Sequence, residues 1–392
     1  MPLDVRLLTE DDAEAAWNLG SLAFGYHAET MPESYRAAPG RTTWGIFDGG
    51  RLLAKAVDRD QKQWFGGRAV PTSGVAGVAV APELRRGGLG RAVLTRLLAG
   101  ARERGAAIST LFPSTPHPYR RLGWEEVGAL TYLRLPTASL SAVVPPEGVT
   151  LRPATVEDVP EIYRIYADQA RESTGMMDRH GPVFTTTAEE LVKAFDGITV
   201  AVGPSGSVDG YATWNRGPGA GPDSKVTGYD LIGATGDATA ALLTMFAGWA
   251  SVAPTTVLRL AYPDPALLMV ATSQSEIQSR QPWMLRIVDA AVAVASRGWP
   301  GHLSGAVSLE LVDAVCPWNA GRFRLSLSDG SAVLEPGGDG AVRFTERGLA
   351  AWYAGTSPSV LRRAGLLDGS TDADAFLAAA TAGPPAALHD YF

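Results

Sequence analysis

One stretch constrains this chain more than any other: Val75–Leu98, reading VAGVAVAPELRRGGLGRAVLTRLL. It opens as an apolar, β-branched run, turns at Pro82, passes through an Arg- and Gly-rich loop, and ends in a helical pattern with Leu94, Leu97 and Leu98 on one face. A strand therefore feeds a loop, and the loop opens a helix. The first amides of a helix have no intrahelical partner and its dipole favours negative charge there, so such a junction suits a diphosphate. Gly87, Gly88 and Gly90 let the backbone approach phosphate, and Arg85, Arg86 and Arg91 surround it with positive charge. Two other phosphate loops are excluded: no Gly-Lys-Ser/Thr ending is present, and Val93 stands where a dinucleotide loop needs its third glycine.

Length and charge narrow the class. A chain of 392 residues is long enough for two or three domains, and 46% hydrophobic with 19% charged residues describes a globular protein with ample core. The net charge of -7 argues against nucleic acid as a partner and is compatible with a cationic substrate. Cys316 is the sole cysteine, so neither a disulfide framework nor a thiolate metal site is expected, in keeping with a reducing cytosol. Without a signal peptide, transit peptide or long apolar span, the reading is a soluble, cytoplasmic protein with no membrane partner.

The chain opens with a short strand leading to Thr9, which can cap a helix whose first turn carries Glu10, Asp11 and Asp12. Strands follow across residues 41–70, with Asp48-Gly49-Gly50 as a hairpin turn, then the loop already described, a strand near AAISTLFPS, a short turn and a terminal strand. After the Pro-rich SAVVPPEG, the segment VTLRPATVEDVPEIYRIYADQA repeats the opening unit, with Thr155 as cap and Glu157 and Asp158 as first-turn acids. An internal duplication accounts for this. The second copy has Gly233-Ala-Thr-Gly236-Asp237 at its strand-to-helix loop, an acid and no arginine, so it should not bind diphosphate. A third segment is expected to begin with a helix over 283–299, WMLRIVDAAVAVASRGW, followed by strands around a hairpin at Ser328-Asp329-Gly330 and two closing helices.

The loop Arg85-x-x-Gly88-x-Gly90 after a Val-Ala-Val strand resembles motif A of the GCN5-related N-acetyltransferases, whose loop holds the pyrophosphate of coenzyme A. The third segment resembles the sterol carrier fold. The whole chain, through VAGVAVAPELRRGGLGR, FPSTPHPYRRLGW, WMLRIVDAAVA and an aromatic C-terminus, is similar to the enhanced intracellular survival (Eis) family of aminoglycoside N-acetyltransferases. That resemblance implies an α/β (α+β) architecture. An active acetyltransferase half would span 1–140, a degenerate half 148–282, and a sterol-carrier-like domain 283–392. It also implies acetyl-CoA as cosubstrate, no metal, a small cationic amine such as a polyamine or aminoglycoside as acceptor, acetylation at several amines, and a homohexamer. Two other functions stay open: a lysine N-acetyltransferase acting on proteins or peptides, and a lipid-binding protein acting through the third domain.

Acetyl transfer needs an acid for the leaving thiolate, a base for the amine and donors for the thioester oxygen. By the resemblance Tyr119 is the general acid and the C-terminal carboxylate of Phe392 the general base; an isolated tyrosine would otherwise be assigned to packing. A phenol with its ordinary pKa near 10 can supply the proton, whereas a C-terminal carboxylate of roughly 3.3–3.7 needs burial or a water relay to accept one. His117 is a competing base, and His389 is expected to be exposed. Val78, Ala79, Val80 and Ser114 join Arg85, Arg86, Gly87, Gly88, Gly90 and Arg91 as cofactor-binding candidates, with backbone amides near Val78 polarising the thioester. Phe24, Glu33, Trp44 and Tyr391 are the substrate-binding candidates, beside Tyr35. Two positions depart from the family pattern: Gly77 replaces a bulky aromatic, and Tyr391 stands where an acid can occur.

Overall fold

The architecture was taken from a computed structural model that describes residues 4–25, 30–32, 35, 38–261, 263–270 and 272–392. The first unit runs β1 (Asp4–Leu7), α1 (Ala13–Phe24), β2 (Arg41–Asp48), β3 (Arg51–Phe65), β4 (Arg68–Val80), α2 (Leu89–Glu103), β5 (Ile108–Leu111), α3 (Pro116–Arg120) and β6 (Glu125–Pro136). The second runs β7 (Thr150–Pro153), α4 (Val159–Glu172), β8 (Gly197–Val202), β9 (Val208–Arg216), β10 (Lys225–Gly233), α5 (Gly236–Ala247), β11 (Thr255–Arg259) and β12 (Glu276–Ile287). The predicted hairpin is present: Asp48 pairs with Arg51, and Gly49 and Gly50 take φ of 54° and 86°, which a side chain would resist.

The duplication extends to side chains. Thr9 and Asp12 form a capping box in which Asp12 also takes two hydrogen bonds from Arg6, at 2.6 and 2.9 Å. Thr155, Asp158 and Arg152 repeat it at 2.6 and 2.8 Å. The Arg6 guanidinium, with the Thr9 amide, holds the Asp12 carboxyl well below the usual carboxylate range, and Arg152 brings Asp158 to about 2.

Both units contribute to one twelve-stranded sheet in the order β1-β2-β3-β4-β5-β12-β6-β11-β10-β9-β8-β7. The last strands are exchanged. β12, from the second unit, pairs with β5 of the first, and β6, from the first, pairs with β11 of the second; the two exchanged strands pair antiparallel at the centre. This corrects two expectations. A boundary at 282/283 would cut β12 in two, and Trp283–Ile287 is strand rather than the start of a helix, the helix α6 being Ala290–Ser296 only. Trp283 through Ile287 are all at most 1% exposed. A strand covered on both faces gives a nearly continuous apolar run, here broken only by Arg286, which periodicity cannot distinguish from a buried helix.

The third unit has a five-stranded sheet ordered β15 (Ser331–Pro336), β14 (Gly321–Ser328), β13 (Gly305–Val312), β16 (Val342–Thr345), β17 (Leu367–Gly369). Helices α7 (Glu346–Tyr353), α8 (Pro358–Arg363) and α9 (Asp374–Ala380) accompany it. Between sheet and helices, Trp299, Phe344, Trp352, Tyr353 and Leu377 are buried together. Among the described residues no helix is long and apolar enough to cross a membrane.

Candidate active site

The helical face read from sequence is the one that holds α2 in place. Val93, Leu94, Leu97, Leu98 and Ala101 are buried against Ile46, Ala54, Ala56 and Val75, and each fully buried leucine contributes about 1.5–3 kcal/mol. The N-terminus of α2 is thereby fixed against the end of β4. Its cap is Gly88, in the left-handed region at φ 83°, which has no side chain to occupy the first amides. Arg86 beside it also has positive φ, 68°; among the described non-glycine residues only Asp329 shares this. Strain of that kind persists where surrounding structure imposes it, and it collects at binding loops. Here the loop lines a cleft of about 600 Å³.

That cleft is lined by Val78, Val80, Arg85, Arg86, Gly88, Gly90, Arg91 and Ser114, all predicted, and its far end by Tyr119. Two predicted cofactor residues do not belong to it. Gly87 donates its N–H to the Leu84 carbonyl, at 3.3 Å, and lies on the outer side of the loop. Ala79 is 2% exposed within the cluster of Leu19, Phe47 and Leu52, and its backbone registers with Lys55 on the opposite edge.

The cleft exists because two parallel strands part. β4 and β5 pair only from Thr72 to Gly74 and from Ile108 to Thr110. From Val75 onward β4 keeps β3 as its ladder partner, so its other edge faces the opening. At Gly77 and Val78 two residues oppose the single Ala56, a β-bulge, with Gly77 at φ 54°. The bulge turns the free edge of Val78 toward the space between the strands.

On the far side of the bulge lies a cavity of about 510 Å³ walled by Phe24, Gly77, Val78, Phe112, Ser114, Tyr119, Tyr391 and Phe392, with Arg280 and Pro282 from the exchanged strand β12. It shares Val78, Ser114 and Tyr119 with the first cleft, so Tyr119 stands at the junction. Burial pushes the Tyr119 phenol up, which keeps it protonated at neutral pH, and its ring meets Trp124 edge-on at 6.1 Å. His117 lies on the wall of the first cleft instead, exposed, away from the second cavity.

The C-terminal segment crosses the molecule to reach this point. Ala387 bridges to Ala129 and donates to the Thr174 carbonyl at 2.9 Å. Asp390 accepts from Tyr166 at 2.8 Å and pairs with Arg179 at 3.0 Å; Arg179 and Arg259 both pair with buried Asp230. His389, expected to be exposed, is 1% exposed, its Nδ1 3.7 Å from Asp230. The Tyr391 and Phe392 rings then pack on Phe112 at 4.6 and 5.4 Å.

Of the other substrate-binding candidates, Phe24 lines the cavity and Glu33 lies outside the described residues. Trp44 is a correction. It is 6% exposed on the opposite face of the sheet, where its ring lies against Gly100 of α2 and under the Arg96 guanidinium at 4.0 Å. Alternation along β2 sends Trp44 into the core and Thr43 to the cavity side. Sequence reasoning missed Phe112, although it sits in the FPSTPHPYRRLGW motif, and Arg280, whose strand is exchanged from the other unit.

Known proteins match this arrangement. Residues 4–127 match an acetyltransferase (GNAT) domain, 175–287 a second acetyltransferase (GNAT) domain, and 290–387 a sterol carrier protein domain. An uncharacterised N-acetyltransferase of Streptomyces coelicolor is 30% identical over 306 residues, 74% of this chain and 73% of its own. The chain belongs to the GNAT acetyltransferases. A GCN5-related N-acetyltransferase from Kribbella flavida shares its structure with a TM-score of 0.87 at 29% identity, covering 100% of this chain and 98% of that one. Eis1 from Mycobacterium abscessus shares the fold at a TM-score of 0.78 and 22% identity, with both chains fully covered. The protein is thus an N-acetyltransferase with tandem GNAT domains, and GNAT enzymes use acetyl-CoA.

Within this GNAT pair the second copy differs where it matters. Thr235 caps α5 by accepting from the Ala238 amide at 3.1 Å, and a Cβ at Gly233 would meet Thr239 Oγ1 at 2.3 Å. At this helix start the Ala238 amide is thus taken by the chain's own cap, where the first GNAT domain has the side-chain-free Gly88.

Proposed function

We propose that the first GNAT domain transfers acetyl from acetyl-CoA to a primary amine of a small acceptor held in the cavity beside Tyr119. The observation that carries this reading is that the two cavities share Val78, Ser114 and Tyr119 while Phe392 walls only the acceptor side. Arg85, Arg86, Gly88, Gly90 and Arg91 hold the diphosphate. The Val78 amide donates to the thioester oxygen as it gains charge. The terminal carboxylate of Phe392 takes the proton of the ammonium, the amine nitrogen bonds to the acetyl carbon, the carbon–sulfur bond breaks as the Tyr119 hydroxyl donates its proton to the departing sulfur, and the surplus proton on nitrogen passes to the tyrosinate, leaving the neutral amide and the acid restored.

Walls drawn from Phe24, Pro282 and the C-terminus suit a small molecule rather than a lysine on a protein surface. The fold shared with Eis1 makes aminoglycosides and polyamines one acceptor class to assay, and the homohexamer implied by the same resemblance is tested by solution mass. The aromatic filling of the third domain gives no support to a lipid-carrying role. Tyr119→Phe should retain acetyl-CoA binding and lower kcat by about 10²-fold or more; unchanged turnover would remove Tyr119 from the acid role. Deleting Phe392 should do likewise, and full activity in the truncated chain would eliminate the terminal base.

A further inference from the structure

The acceptor side of the Gly77 bulge has a second lobe. A cavity of about 490 Å³ shares Ala76 and Gly77 with the Tyr119 cavity and extends along the faces of β2 and β3. Arg41 and Arg59 are directly opposite one another on these strands, Thr43 is opposite Val57, and Lys55 follows on the same face two residues on. All of these line the lobe. Two like charges placed directly opposite across a sheet repel, so the wall is unfavourable as it stands.

Nothing described in the chain neutralises it. Lys55 is 3% exposed and its ammonium donates to the Tyr35 hydroxyl at 2.7 Å, with no carboxylate in ion-pair range among the described residues. Among the described residues the buried Nε of Arg59 has no hydrogen-bond partner, and the Arg59 guanidinium stands 6.0 Å from the centre of the Phe392 ring. Glu10 lies at the mouth of the lobe, exposed to solvent. The other face of β3 is built differently: Asp58 and Asp60 there pair with Arg104, at 2.9 and 2.6 Å. On one face β3 has its charges paired, and on the other Lys55 and Arg59, with Arg41 of β2 opposite, face the cavity with no carboxylate in ion-pair range among the described residues. An uncompensated buried ammonium is costly, and a bound anion removes that cost.

We propose that the acceptor carries an anionic group, carboxylate or phosphate, on the same molecule as the reacting amine, and that Arg41, Lys55 and Arg59 bind it. This rests on the acetyl-transfer reading above and narrows its acceptor to an amine with an acid attached. The amine enters the Tyr119 cavity and the anion the basic lobe, joined past Gly77, which has no side chain at the shared wall.

The test compares acceptors in matched pairs with acetyl-CoA: ornithine against putrescine for carboxylate, O-phosphoethanolamine against ethanolamine for phosphate, with kanamycin as the polycation. Binding of each compound to the acetyl-CoA-loaded protein is measured in parallel by calorimetry. In at least one pair, the acid-bearing member should exceed its partner by tenfold or more in both affinity and kcat/KM. The ratio should collapse toward one in Lys55→Met and in Arg59→Gln, two variants so that misfolding of one does not decide the matter. Equal or tighter binding by the acid-free member in both pairs, or tighter binding by kanamycin than by either acid-bearing compound, would overturn the inference, as would failure of every acid-bearing member to bind. Preferential binding of the acid-bearing member without transfer would instead leave the anion site standing and bring down the acetyl-transfer reading.

Discussion

Arg86 and Lys55 are each held in an unfavourable state, and each gives a measurement. Arg86 has left-handed backbone in the loop before α2, which costs a non-glycine residue roughly 1–2 kcal/mol. Arg86→Gly should therefore raise the unfolding free energy by about 1 kcal/mol in a denaturant titration while raising KM for acetyl-CoA. Burial brings the Lys55 ammonium down to about 8 from its ordinary 10.5; among the described residues Tyr35, Arg41, Arg59 and Glu10 are the charged and titratable groups lining its lobe, and β4 adds Ala76 and Gly77. The cation is present below about 8 and lost above it. The preference for an acid-bearing acceptor over its acid-free partner should accordingly fall as pH rises through that value, a ratio that cancels deprotonation of the amine common to both. The folded chain releases this proton earlier than the unfolded one, so Lys55 also makes stability climb between about 8 and 10.5. Lys55→Met should flatten that part of the stability profile.

At the scale of elements, the C-terminal segment is a positioned strap. Burial alone would raise the Asp230 carboxyl, but Arg179 and Arg259 hold it well below the usual carboxylate range, and Arg179 extends the same charge to Asp390, two residues before the terminus. The second GNAT domain, whose own helix start is capped by Thr235, thus holds the segment that follows the third unit, whose end walls a cavity of the first. Asp390→Asn keeps the shape and weakens the pairing with Arg179. It should lower kcat by about tenfold, a few-fold share of the 10²–10⁴ that a proton-transfer group contributes, with KM for acetyl-CoA unaltered. A loss of acetyl-CoA affinity instead would indicate general disruption.

The whole molecule is tied together at Arg286. From the exchanged strand β12 it donates to the Leu122 carbonyl of the first domain at 2.9 Å and to both oxygens of Asp313, just past β13, at 2.7 and 2.6 Å; the two side chains are 1% and 3% exposed. Arg286→Met leaves Asp313 as an unpaired buried charge and should cost about 3–5 kcal/mol, read as a lowered unfolding midpoint. The amino-acid sequence by itself determined the features that depend on near neighbours: the strand, loop and helix around Arg85–Arg91, the buried stripe of Leu94, Leu97 and Leu98, the hairpin at Gly49-Gly50, the repeated Thr caps, and a second copy without arginines. Tertiary structure alone decided the exchange of β6 and β12, the burial of Trp44 and His389, and the basic wall of Arg41, Lys55 and Arg59. The reason is physical: backbone period and capping chemistry act within a few residues, whereas the partner a strand chooses and the face it buries depend on residues far along the chain.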